Sequence, residues 1–135
     1  MLFRSPATIS TPERAKTAFK EAVKEIERGR LDPAASLLNE AIELNPAFAE
    51  AHFRLGWLYG QKGAVEDAAD CHELAIHFEP GHAQAHMALA ALRKTQGRHA
   101  EAVRLYQQAA ELIPSDAATH TNLCLALHEI GRAHV

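Results

Sequence analysis

Cysteine is scarce in this chain. Cys71 and Cys124 are the only two among 135 residues, too few for a disulfide framework and too far apart for a close-spaced redox or metal motif. Both fall in helical pattern and are expected to act as small buried hydrophobes in a reducing compartment, which points to a cytoplasmic protein. Aromatic residues are few as well, at 6% with Trp57 the single tryptophan. With alanine and leucine plentiful, that composition favours helix over sheet. No apolar run approaches a membrane span, and the opening MLFRSPATISTPERA lacks the apolar centre of a signal peptide, so no membrane partner is expected. A charge excess is also missing. The net charge is −3, residues 1–46 balance, and residues 81–114 reach only +2. No segment can hold a phosphate backbone by charge, so no nucleic acid partner is expected. There is no Gly-rich phosphate loop, no H-E-x-x-H and no nucleophile beside an obvious base. The expectation is a protein that is not an enzyme and carries no cofactor.

What the chain does contain is a beat. Gly29, Gly63, Gly97 and Gly131 stand 34 residues apart, and Pro46, Pro80 and Pro114 keep the same step. Glycine and proline interrupt helices, so their fixed recurrence marks one supersecondary unit copied along the chain. The frames are 15–48, 49–82, 83–116 and a partial 117–135. Alanine recurs at the twentieth place (Ala34, Ala68, Ala102) and at the twenty-seventh (Ala41, Ala75, Ala109). Small residues at fixed places suit helices that cross closely, where a larger side chain would push them apart. Each frame reads as two helices, the first ending at the glycine and the second at the proline. Thr11-Pro12-Glu13 reads as the first helix start, with Asp32-Pro33 and Ser115-Asp116 as further openings. Residues 1–10 are expected to form a flexible arm and 11–135 one repeat domain.

These residues closely resemble the tetratricopeptide repeat, whose pattern is W-x2-L-G-x2-Y, then A-x3-F or Y, then A, then P. The second frame matches through Leu55, Gly56, Tyr59, Ala68, Ala75 and Pro80, and the third through Leu89, Ala90, Ala102, Tyr106, Ala109 and Pro114. The first helix departs, with Ala18 and Glu21 where Trp and Leu are usual, and reads as a partial cap packing through Phe19, Ala22, Val23 and Ile26. The resemblance implies an all-α, right-handed superhelical solenoid of helix–turn–helix repeats. It also implies a protein-interaction module whose first helices line a concave groove for a peptide or partner segment. Carried over by repeat position, the groove residues are Phe19, Val23 and Ile26, then Glu50, Phe53, Arg54 and Trp57, then Gln84, Met87 and Lys94, then Thr121 and Leu125. Trp57, Phe53 and Met87 would form an apolar patch there; the alternative is that some of these rings fill the core. The family subset that clamps C-terminal carboxylates uses Lys and Asn where this chain has Phe19 and Val23, Asn where it has Arg54, and Lys and Arg where it has Gln84 and Ala88. That clamp is not expected.

The fourth frame has no second helix. It reads either as a piece of a longer repeat protein, as a cap, or as a face that pairs with another chain through Leu123, Leu127 and Ile130. The competing function is therefore a self-associating scaffold. Among nine histidines, His52, His86 and His120 share one repeat position and read as packing groups bonded to a neighbour, or as a pH-sensitive ladder. His120, Cys124 and His128 lie on one helix face, but i, i+4 and i+8 on a straight helix span about 12 Å and cannot wrap a tetrahedral ion. No metal is expected. Lys16, Lys20, Lys24 and Arg28 form a stripe, read as solvated and partly paired with Glu13, Glu21 and Glu27, or as an anion-binding edge beside Arg54.

Overall fold

The computed structural model describes residues 10–133, which form seven helices and no strand. They are α1 (Thr11–Glu27), α2 (Leu31–Leu44), α3 (Ala49–Gln61), α4 (Val65–Phe78), α5 (Ala83–Thr95), α6 (His99–Leu112) and α7 (Ala117–Ala133). The expected arm over residues 1–10 lies outside the described residues except for Ser10. Three-residue turns join the helices of one repeat, and four-residue turns join successive repeats. Gly29, Gly63 and Gly97 sit in the first kind of turn at φ of 75° to 78°, a left-handed conformation that a Cβ would strain. Packing is most extensive within the pairs α1–α2, α3–α4 and α5–α6, then between each second helix and the next first helix. Each helix thus leans on its sequence neighbours, as in a solenoid.

The recurring alanines stand where the helices cross. Ala34, Ala68, Ala102, Ala41, Ala75 and Ala109 are all 0% exposed. A second rule sets the depth of each repeat. The eighth residue of a frame is small, and the twenty-fourth fills the space beside it: Ala22 and Leu38 share one core cluster, Ala90 and Tyr106 another. In the second frame the pair is Gly56 and His72. A Cβ built on Gly56 would lie 2.7–3.0 Å from three atoms of the His72 ring, which is itself buried. Gly56→Ala is therefore expected to destabilise by roughly 1–2 kcal/mol, overpacking outweighing alanine's better helix propensity. Gly60, in the same helix with nothing within 4 Å of an added Cβ, should gain up to about 1 kcal/mol on the same substitution. Urea denaturation of the two variants decides it; shifts of the same sign would contradict the close approach.

Several local expectations shift. Ser10, not Thr11, caps α1, its Oγ accepting from the Glu13 N–H at 3.4 Å, with Pro12 in the first turn. Helix α2 opens one residue before Asp32, on Arg30 with no side-chain cap, because Asp32 turns instead to Lys62 Nζ at 2.7 Å. That exposed pair crosses the first two repeats and holds the Asp32 carboxyl below its usual range. Asp116 accepts from the Thr119 hydroxyl rather than capping through the backbone. The first helix is a full member of its repeat, with Ala15, Ala18 and Ala22 buried and Phe19 packed 5.0 Å from Phe48.

The far end departs more. Gly131 ends no helix: α7 runs through it to Ala133. With no second helix folded back on α7 among the described residues, nothing requires a left-handed turn there. The same uncovered face explains the cysteines. Cys71 is buried, its thiol pushed up to about 11 first by burial and then by Asp70 and Asp67. Cys124 is exposed, contrary to expectation, although it holds the repeat position at which Ala90 is 0% exposed.

Candidate binding groove

Three first helices contribute to one cavity. Ile26 of α1, Phe53, Arg54 and Trp57 of α3, and Gln84 and Met87 of α5 line a space of about 380 Å³. Phe53 and Trp57 are four residues apart, so they share a helix face, and the 34-residue step sets Met87 at the position of Phe53 on the next helix. Trp57 is 41% exposed, a large apolar surface left open to solvent. Ring contacts support Phe53 from behind, with His82 at 4.8 Å and His72 at 5.4 Å.

A polar network stiffens the wall. Glu50 accepts from Arg54 Nε at 3.2 Å and from His82 Nε2 at 2.8 Å. The other ring nitrogen of His82 accepts the Ala85 backbone N–H at 3.1 Å, capping α5. One nitrogen accepting and the other donating defines a neutral imidazole with its proton on Nε2. The pair Glu50–His82 thus ties α3 to the start of α5. Sequence reading placed Glu50 at the groove but not His82; its place just before Ala83, at a cap position, was the available sign.

Of the sequence-derived groove residues, the structure brings Ile26, Phe53, Arg54, Trp57, Gln84 and Met87 together around the cavity, with Glu50 behind Arg54. It does not bring in the others. Phe19 is half-buried and packs on Phe48 in the first core cluster, and Val23 and Lys94 are half-buried away from the cavity lining. Thr121 is exposed and bonds its own helix at the Ala117 carbonyl, and Leu125 is 51% exposed on α7. Of the three residues read as a self-association face, Leu123 and Ile130 pack against the last core cluster, while Leu127 stays 47% exposed.

The histidine ladder is occupied by local bonds. His52 Nε2 donates to the Pro46 carbonyl at 2.8 Å, His120 Nε2 to that of Pro114 at 2.7 Å, and His86 Nδ1 to that of His82 at 2.9 Å. His72 and Arg93 are further buried polar residues that sequence reading did not place. Burial first, and then His82, lowers the pKa of His72 to about 4, and its Nδ1 has no hydrogen-bond partner. Arg93 is buried where the second repeat has Tyr59, and ties α5 to Glu73 of α4 and, at 3.3 Å, to Glu101 of α6. Both could have been noticed as polar residues standing in positions that are apolar or aromatic one repeat away. The lysine stripe also differs from expectation. Among the described residues Lys16, Lys20 and Lys24 make no ion pair, and only Arg28 does, with Glu25 at 3.1 Å. Glu25 is instead drawn to Arg28 and Arg30 around the first turn.

Among the described residues no helix is long and apolar enough to cross a membrane, and no three His, Cys, Asp or Glu side chains gather as a metal set. No curated protein matches the sequence closely. Solved structures do match in fold. The first TPR of Spaghetti (RPAP3), bound to the HSP90 peptide SRMEEVD, superposes with a TM-score of 0.84 at 16% identity, covering 94% of this chain and 99% of that one. MamA gives 0.81 at 22% identity over 89% of this chain and 70% of its own. An O-GlcNAc transferase from Thermobaculum terrenum gives 0.80 at 25% identity, over 90% of this chain but only 23% of that one. Two family models match the sequence, a TPR repeat over residues 23–63 and a tetratricopeptide repeat over residues 72–117. Each match crosses the glycine turn and close-packed alanines that build the folded repeats. The chain belongs to the tetratricopeptide repeat family, whose repeats generally mediate protein–protein interaction.

Proposed function

We propose that the chain is a non-catalytic protein-interaction module that takes a peptide segment of another protein into the groove over α1, α3 and α5, with an apolar side chain of that segment against Trp57. The observation that carries this reading is the cavity of about 380 Å³ with Trp57, Phe53, Met87 and Ile26 in its lining. A tryptophan and a methionine left open at the centre of a rigid wall offer large contact area at little ordering cost. One relative in fold is a TPR bound to a peptide ending in EEVD. Here Phe19, Val23, Gln84 and Ala88 stand where a carboxylate clamp needs Lys, Asn and Arg, so an internal segment suits this groove better than a chain end.

Selection from short random peptides displayed on phage tests the reading. Because Trp57 is the only tryptophan, its emission reports occupancy directly. Trp57→Ala, a substitution at a half-exposed position, should leave helicity intact and weaken selected peptides by at least about tenfold. Peptides that bind the variant as well as the parent would remove the groove from consideration. The second reading, a self-associating scaffold, draws on Leu125 and Leu127, exposed on the uncovered α7. A change of oligomeric state in Leu127→Ala with peptide binding intact would favour it.

A further inference from the structure

Arg54 is the only charged residue in the cavity lining, and no carboxylate lines it. Arg54 bonds Glu50 through Nε alone; its two terminal nitrogens make no hydrogen bond among the described residues, and the side chain is 39% exposed. Glu50 is held in turn by His82, which caps α5, so the carboxylate that positions Arg54 is itself anchored. The guanidinium is thus restrained on one edge, with its remaining donors uncommitted beside an apolar wall. A planar fork with free N–H donors is suited to a carboxylate. Lys20 holds the same repeat position on α1 that Arg54 holds on α3, and it is exposed and without an ion pair among the described residues.

We propose that the segment accepted by the groove carries an aspartate or glutamate adjacent, or next but one, to its apolar anchor, and that Arg54 receives this carboxylate. The inference rests on the groove reading and adds the chemistry of the partner. The apolar side chain occupies the space around Trp57, and the acid completes the Arg54 fork. A chain-terminal carboxylate is not required, since four of the five positions that would grip one are Phe19, Val23, Gln84 and Ala88, the fifth being Arg54 itself.

The experiment compares the wild type, Arg54→Gln and Trp57→Ala, each checked for unchanged helical circular dichroism, against displayed random peptides and synthetic versions of those recovered. Wild type should enrich an acid beside the apolar residue. Replacing that acid by its amide should weaken binding by about tenfold, and the difference should shrink as salt is raised. Arg54→Gln should bind the acid and amide forms within roughly twofold of each other while keeping the apolar preference. If wild type binds both forms equally while Trp57→Ala loses them, the acid inference is overturned and the groove reading stands. If Arg54→Gln retains the full acid preference, Arg54 is not the receiver and the inference is overturned. If the peptides bind Trp57→Ala undiminished, or none is enriched, the groove reading fails and takes this inference with it.

Discussion

Acidification from neutrality to about pH 4 is expected to remove about 3 kcal/mol of folding stability through one side chain, His72. The unfolded chain takes up this proton near the ordinary value of 6.5, whereas the folded protein resists it until about 4. Protons then favour the unfolded state across that interval. Stability through His72 is complete above pH 6.5, falls progressively between 6.5 and 4, and levels off below. The cause is geometric. His72 occupies the place that Leu38 and Tyr106 hold in the neighbouring repeats, it is 3% exposed, and Gly56 presses on its ring. A charged imidazole there would be cut off from water with His82 close by. His72→Leu, which copies the first repeat, should lose that much less stability over the same interval, measured by urea denaturation at each pH. If the leucine variant does not fold, an NMR titration of His72 in the parent gives the same answer. A midpoint near 6.5 would sink the account.

Leu38→Ala is expected to cost about 3–4 kcal/mol, because Leu38 is 0% exposed and its removal leaves a cavity between tightly crossed helices. Its cluster draws on α1, α2, α3 and α4, with Ala22, Ala41, Ala51 and Leu55 among its members. The alanines cannot reach into the space, so collapse is limited. The loss should also be local. In a solenoid each repeat is stabilised by itself and its nearest neighbours, so the damage falls on α1 and α2 first. Hydrogen exchange should show faster amides in residues 11–44 while α5 and α6 keep their protection. Equal acceleration along the whole chain would mean that the repeats unfold as one unit, and a total cost below about 1 kcal/mol would contradict tight packing at Leu38.

Much of the scaffold was legible because its causes are local. Gly29, Gly63 and Gly97 adopt the left-handed turn their spacing implied, and the alanines of the twentieth and twenty-seventh places are buried without exception. The second helices end at Leu44, Phe78 and Leu112, two residues ahead of each proline, since the residue before proline is driven to extended backbone. Caps were less legible. His82 caps α5 through its ring where no Ser or Asp marks the place, while Arg30, Ala64 and Arg98 begin helices with no side-chain bond. In these turns the preceding glycine and the packing of the helix against its partner make a polar cap dispensable.

The groove was legible only in part. Six of the twelve residues named for it meet at one cavity, and five of the six stand on α3 and α5, where the repeat is regular and flanked on both sides. Phe19 has the right repeat position yet turns to Phe48, its ring drawn into the first core. Lys16, Lys20 and Lys24 have acids within reach along the sequence, yet Glu25 goes to arginines at the turn instead.

By itself, then, the sequence determined a stack of helical pairs, where each pair turns, and which places admit only small side chains. Those properties follow from periods of 3.6 and 34 residues and from the backbone limits of glycine and proline, which act over a few bonds. Only the tertiary structure decided which polar groups are buried and which apolar ones are left open. His72 and Arg93 are enclosed, and Cys71 is covered while Cys124 is not. Trp57 faces a cavity that three helices must build together. Burial is a sum over neighbours distant in the chain, so the same residue type at the same repeat position meets a different fate wherever the neighbouring helix differs or is missing.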